Sequence, residues 1–364
     1  MLKLLICGDL TTRGRGLNAL QNGMAFSGDI VKYIVNDYTI VNLESPVADE
    51  LDVPIHKIGP ALKLPKDTIK YLKDVGVNAV TLANNHFYDY GESGVEKTIS
   101  ALTEYEIEYV GTAKDRILSL PEAVILNYCE REFSVNEEKG ASPINPITIF
   151  YDIAKVKAQM KPIIVIVHGG HEGYNLPSPR MKELYRFIID CGASVVINHH
   201  QHCYSGFEKY HNGLIFYGLG NFFFDIDSSN PAAKLWNDGY MVELELCGGR
   251  IEKHEIIPYK QCLPDAPTCR LMNSEEKTAF ENNICELNSI IANDNELNKK
   301  YSNFIDNFRT FQLGNFTPYT NRILLGLYRR HFLPSFLSEK KKLQILNMLR
   351  CESHRDLAIQ SLLK

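Results

Sequence analysis

Short apolar runs alternate with abrupt polar stops through the first 225 residues. LKLLIC (2–7) ends at Gly8-Asp9. YTIVNLES (38–45) closes on Asn42, Glu44 and Ser45. VNAVTLANNH (77–86) closes on Asn84, Asn85 and His86. PIIVIVHGGHE (162–172) ends at His168, ASVVINHHQH (193–202) ends in three histidines, and NGLIFYGLGNFFFD (212–225) is a sixth run. Runs of this length bounded by turn formers predict buried strands. Between them lie helical periods: 91–106 puts Val95, Ile99 and Leu102 on one face, and 179–190 gathers Met181, Leu184, Phe187 and Ile188 before Gly192 stops the helix. Residues 239–246 and 250–257, flanking Cys247-Gly248-Gly249, predict a β-hairpin. Strand–loop–helix repetition predicts a layered α/β fold. Such folds bind ligands beyond the carboxyl ends of their strands, which is where every polar stop lies.

The pattern changes after Pro258. Segments 274–293 and 296–313, TNRILLGLYRRHF (320–332), SEKKKLQILNMLRC (338–351) and SHRDLAIQSLL (353–363), with Ser353 as N-cap, all carry a helical period. The expected organisation is therefore a layered domain over 1–258 and an all-helical extension over 259–364. Residues 129–146 read as an irregular loop.

Composition narrows the function classes. The formal charge of the 364 residues is -5, and this lack of basic excess argues against a nucleic-acid partner. No stretch approaches the 18 or more apolar residues of a membrane span, and the N-terminal apolar run is too short for a signal peptide. The expected location is cytoplasmic, or peripheral to a membrane. Lys340-Lys341-Lys342 reads as a solvated helix face. The nine cysteines include no CxxC pair, so a disulfide framework or a thiolate zinc site is not expected.

The chemistry resides in the strand ends: Asp9, Asn42, Glu44, Asn84, Asn85, His86, His168, His171, Glu172, His199, His200 and His202. Carboxylates, carboxamides and imidazoles without a thiolate suit Mn, Fe or Zn, and two such ions can clamp the attacking and leaving oxygens of a displacement. On an extended segment alternate side chains share a face. His200 and His202 are therefore expected as ligands of one ion or of one ion each, with His199 turned away in a supporting place. Asp89 and Gly91 read as shaping the turn into the next helix.

These motifs resemble the CapA family, capsule-synthesis proteins tied to poly-γ-glutamate. The resemblance rests on CGDL (7–10), VNLESP (41–46), LANNHFYDYGESG (82–94), VGT (110–112), VHGGHE (167–172), NHHQH (198–202) and YGLGNFFFD (217–225), in the family's order over 1–258. It implies a metallophosphatase-like (calcineurin-like phosphoesterase) sandwich. It also implies roles. Asp9 is a metal ligand, and Glu44 stands where that superfamily carries a bridging Asp. Asn85 and His86 are metal ligand and catalytic acid, and His168, His200 and His202 are further ligands. Glu172 and Asn221 match residues that stand behind the ligands or line the substrate pocket. Apart from the resemblance, the strand-end positions of Asn42, Asn84, His171 and His199 give them a supporting place beside the ligands or the substrate. The chain departs from the pattern at Thr11, where an Asp-x-His motif would carry His. One metal then has fewer ligands, and a single-ion site becomes possible.

The function these readings imply is metal-dependent hydrolysis or transfer, with one or two divalent ions (Mn, Fe or Zn), on a phosphoester or an anionic polymer in capsule polysaccharide or poly-γ-glutamate formation. The alternative is a non-catalytic subunit of a capsule assembly machinery that docks through its helical tail.

Overall fold

The computed structural model describes residues 1–350 except 37, 58, 133–134, 136–137, 227–232, 315, 318 and 320. The helix expected over 353–363 lies outside the described residues. Strands β1 (Leu2–Leu10), β2 (Tyr38–Leu43), β3 (Ala79–Thr81) and β4 (Glu108–Val110) run parallel and begin a first sheet. A second sheet follows with β5 (Ile117–Ser119), β6 (Val124–Cys129), β7 (Ile163–His168), β8 (Val195–His199), β9 (Phe207–Tyr210) and β10 (Gly213–Phe216). The chain then returns to the first sheet with β11 (Asn221–Phe223), β12 (Asp238–Cys247), β13 (Arg250–Lys260) and β14 (Arg270–Leu271). The first sheet has the order β14-β13-β12-β1-β2-β3-β4, with β11 also paired to β1; the second has the order β5-β6-β7-β8-β10-β9.

The period-2 geometry of β1 explains the layering. Leu4 and Ile6 pack with Ile40 and, from the second sheet, with Ile125, Ile164, Ile166, Val195 and Ile197. Leu5 and Cys7 point the opposite way, toward Ile30, Ile34, Ile69, Leu72 and Leu102 of the outer helices. A strand buried on both faces has no polar alternation to display, and so reads as a continuous apolar run. Helix Pro179–Cys191 covers β8 and β10. Ser178 caps it through the Met181 N–H, Pro179 opens it, and Gly192 ends it at φ 120°. The face this helix buries is Met181, Lys182, Tyr185, Ile188 and Ile189, whereas Phe187, expected inside, is exposed.

The run 212–225, expected as one strand, is two strands in different sheets. Tyr217–Gly220 carries the chain across between β10 and β11, and Gly220 does so at φ 79°, in the left-handed region. A Cβ on Gly8 would lie 1.9 Å from the Gly220 carbonyl oxygen. Glycine at both places is what lets β11 lie against β1.

The chain forms two compact units, Met1–Asn298 and Lys299–Lys364, and the change of character after Pro258 falls inside the first. Helix Ser274–Ala292 belongs to the first unit, where Phe280 and Ile284 pack with the inter-sheet core. It opens with a reciprocal capping box between Asn273 and Glu276. The second unit contains the helices Arg322–Arg329 and Glu339–Arg350.

Candidate metal centre

Register builds the site. Asp9 of β1 lies abreast of Asn42 on β2 and of Asn221 on β11, and His168 of β7 lies abreast of His199 on β8. Glu44 directly follows β2, and Asn84, Asn85 and His86 leave the end of β3. All these residues except Asn85 and His86 are essentially inaccessible, and those two are nearly so.

The segment after β8 is not extended. His200 and His202 have φ of 87° and 57°, so the chain turns twice in the left-handed region. The side-chain alternation expected of this stretch is therefore the wrong geometry. The turns nevertheless bring both imidazoles to the same cluster, and such strain in non-glycine residues is typical of functional loops.

Two groups of three ligand atoms result, each with its atoms within 4.8 Å of one another: Glu44, His168 and His200; and Asp9, Glu44 and His202. Glu44 belongs to both. Its Oε1 is 3.5 Å from His168 Nε2 and 3.8 Å from His202 Nε2. Neither Glu44 oxygen has a hydrogen-bond partner although both are buried. Asn85 Oδ1 is 2.9 Å and His200 Nδ1 3.1 Å from His168 Nε2, which places Asn85 beside the first group.

Supporting residues hold these atoms in place. Asn42 Nδ2 donates to Asp9 Oδ1 at 2.6 Å and lies 3.3 Å from His168 Nδ1. Its own Oδ1 accepts from Thr81 and Asn84. The His200 N–H donates to Asp9 Oδ2 at 3.1 Å. Asn221 Oδ1 is 2.8 Å from His202 Nδ1; since a carboxamide oxygen can only accept, Nδ1 carries the proton and Nε2 presents its lone pair. Trp236 and Phe224 enclose the His202 ring at centroid distances of 4.1 and 5.0 Å.

Burial decides the electrostatics. It pushes the Asp9 carboxyl up to about 7, against the Asn42 hydrogen bond that favours its anion. Burial, then Asp9 and Glu172, raises Glu44 well above the usual range. The imidazoles move the other way: burial lowers His200 to about 4 and His202 to about 3, and lowers His168 well below its ordinary value. Without a cation the cluster is driven toward protonated acids and neutral imidazoles, with the Glu44 oxygens unpaired. A buried carboxylate of this kind is costly unless something compensates it.

His86 stands apart from both ligand groups. Its Nδ1 is 2.6 Å from Asp89 Oδ2, so the Nδ1–H donates to the carboxylate. Asp89 also accepts from the Leu62 N–H and from Lys57, itself almost buried. Asp89 is thus a fully buried anchor for His86, more than the turn former expected of it. His199 lies outside both groups, beside the Cys7 backbone, and burial lowers it to about 3. Glu172 is exposed at the rim, close enough for its charge to raise both Asp9 and Glu44. His171, half-buried, packs against Tyr174.

Sequence reasoning missed Lys57, Glu132 and Trp236. Glu132, from the segment expected to be an irregular loop, brings Oε1 to 3.9 Å from His200 Nε2. None of the three follows an apolar run; a single tryptophan in 364 residues was the one signal available. Burial pushes the thiol of Cys203, beside His202, up to about 12, which keeps it protonated at neutral pH.

A layered α/β protein with a buried carboxylate–imidazole cluster at its strand ends is the class these observations define. The model of one family, described as bacterial capsule synthesis protein PGA_cap, matches residues 3–226, more than half of the chain. The chain belongs to this family, and the matched span contains every candidate site residue from Asp9 to Asn221. Capsule biosynthesis protein CapA of Bacillus anthracis is 33% identical over 214 residues, 53% of this chain and 52% of that protein. PGA biosynthesis protein CapA of Bacillus subtilis strain 168 is 29% identical over 209 residues, 52% of this chain and 54% of that protein. The chain spans about half the length of the curated relatives it matches. Among solved structures, a hypothetical protein from Thermus thermophilus is similar with a TM-score of 0.45 at 16% identity, over 71% of this chain and 99% of that one.

Proposed function

We propose that this chain is a metal-dependent hydrolase or transferase of the metallophosphatase-like kind, acting on a phosphoester or a γ-glutamyl amide in the formation of a capsule polymer. The observation that carries the reading is Glu44, a buried carboxylate with two unpaired oxygens shared by two sets of ligand atoms. The oxygen and nitrogen donors fit one or two Mn, Fe or Zn ions. Asp9, Glu44 and His202 would hold one ion, and Glu44, Asn85, His168 and His200 the other. Ions bound there supply Lewis-acid polarisation of a phosphoryl or acyl oxygen and acidify water toward neutral pH.

The protein's own groups do the rest. Asn42, Asn221 and the His200 N–H keep Asp9, His168 and His202 oriented. Asp89 fixes the Nδ1–H tautomer of His86, so a proton taken up at Nε2 is available to the leaving oxygen or nitrogen. The capsule context comes from the relatives' names, and an anionic polymer is the substrate class that context favours.

The test is turnover of bis-p-nitrophenyl phosphate and of γ-glutamyl-p-nitroanilide by protein supplied with each of the three ions. Turnover of either substrate that falls roughly 10²-fold or more in Glu44→Gln and His86→Ala supports the reading. No turnover of either class, or turnover unaffected by both substitutions, contradicts it.

A further inference from the structure

The second compact unit, from Lys299 onward, reverses the charge of the chain. Residues 299–364 hold 12 Lys and Arg against four Asp and Glu, a formal +8. With the whole chain at -5, residues 1–298 carry -13. An unremarkable total hides a strongly acidic body and a strongly basic tail, and such asymmetry points to an anionic partner for the tail.

The cations are interleaved with apolar side chains left in water. Helix Arg322–Arg329 exposes Ile323 and Leu324, while Tyr328 is buried, its ring 5.6 Å from that of Tyr319. Phe332 and Phe336 follow, 72% and 60% exposed. Helix Glu339–Arg350 exposes Leu343, Leu346 and Leu349, which at this spacing form one stripe. Lys340 and Lys341 are exposed immediately before that stripe.

Two features must be satisfied together. A soluble acidic polymer such as a polycarboxylate would answer the charge and leave the leucines and phenylalanines wet. A second copy laid tail against tail would cover the leucines and set its own +8 against the first. A bilayer surface with anionic headgroups answers both: the headgroups meet the lysines and arginines, and the acyl boundary takes the apolar side chains. No helix among the described residues is long and apolar enough to cross a membrane, so the contact is one of lying on the surface.

We propose that the unit beginning at Lys299 is a docking surface for an anionic lipid bilayer, with the Leu343/Leu346/Leu349 stripe, Ile323 and Phe332 entering the headgroup boundary. The inference is independent of the metal site.

Sedimentation of the full chain with vesicles tests it. Vesicles of phosphatidylglycerol mixed with phosphatidylcholine should bind the protein about tenfold or more tightly than pure phosphatidylcholine, and added salt should weaken the binding. Lys340→Gln/Lys341→Gln/Lys342→Gln and Leu343→Gln/Leu346→Gln/Leu349→Gln should each weaken it, with the melting temperature unchanged. Equal binding to both vesicle types, or binding to neither, overturns the proposal. Retention by soluble poly-γ-glutamate without vesicle binding also overturns it and reassigns the surface to an acidic polymer. The salt titration of the wild type decides the matter even if a triple variant misfolds.

Discussion

The indole of Trp236 lies over the imidazole of His202, with centroids 4.1 Å apart and planes inclined by 33°. Trp236 is the one tryptophan of the chain, so its emission comes from beside this ligand. Adding Zn²⁺ or Mn²⁺ to metal-free protein should change that emission with a saturable dependence, and His202→Ala should remove the response. Ion binding seen by calorimetry with unchanged emission would separate His202 from the ion.

Ion affinity should depend on pH through Asp9. Proton and cation compete for this carboxylate, whose pKa burial lifts to about 7. Below pH 7 the ion must displace the proton, so apparent affinity should rise by up to about tenfold per pH unit toward 7. Glu44, also raised by burial, competes with the cation in the same direction. His200 and His202, lowered to about 4 and 3, are already neutral above pH 5 and add no slope there. Calorimetry at pH 6, 7 and 8 checks this, with proton release counted from buffers of different ionisation heat. Affinity that is flat or falls with pH would contradict the assignment of Asp9.

Asp89→Asn should separate positioning from metal binding. The carboxamide keeps the size of the side chain and an oxygen that can accept from the His86 Nδ1–H, but it removes the charge that stabilises a protonated imidazole, and it leaves Lys57 without its anion. Turnover should fall by roughly ten- to a thousandfold with the metal content intact. A loss of metal in this variant would instead make Asp89 part of the ligand scaffold.

Gly8→Ala tests the crossing between the sheets. The new methyl would lie 1.9 Å from the Gly220 carbonyl oxygen, which is backbone and cannot swing away. Overpacking of this kind costs about 1–3 kcal/mol, so thermal unfolding should move to a clearly lower temperature. An unchanged melting temperature would mean that β1 and β11 separate without cost.

Much of this architecture was legible because buried parallel strands write themselves as apolar runs. Leu2–Cys7, the run around β2 and the run around β7 announced both the strand and the polar residue at its end. Register, which puts Asp9 beside Asn42 and Asn221, was not legible, since nothing in a single strand names its neighbour. The run 212–225 misled for a related reason: an apolar run records burial and says nothing of which sheet provides it. At 199–202 the residues pointed to the site while the conformation expected of them was wrong, because left-handed histidines leave no trace in composition. Asp89 passed for a turn residue until three donors were seen converging on it. Charge was the least legible feature, since the total of -5 averages two opposite units.

The central claim is that Glu44 is a ligand shared by both halves of a metal centre, and elemental analysis of purified protein tests it most directly. Wild type incubated with Mn²⁺, Fe²⁺ or Zn²⁺ and then freed of excess ion should retain one to two equivalents, and Glu44→Ala and His168→Ala/His202→Ala should retain none. Wild type without metal after exposure to all three ions, or a Glu44→Ala protein with the wild-type content, would contradict it.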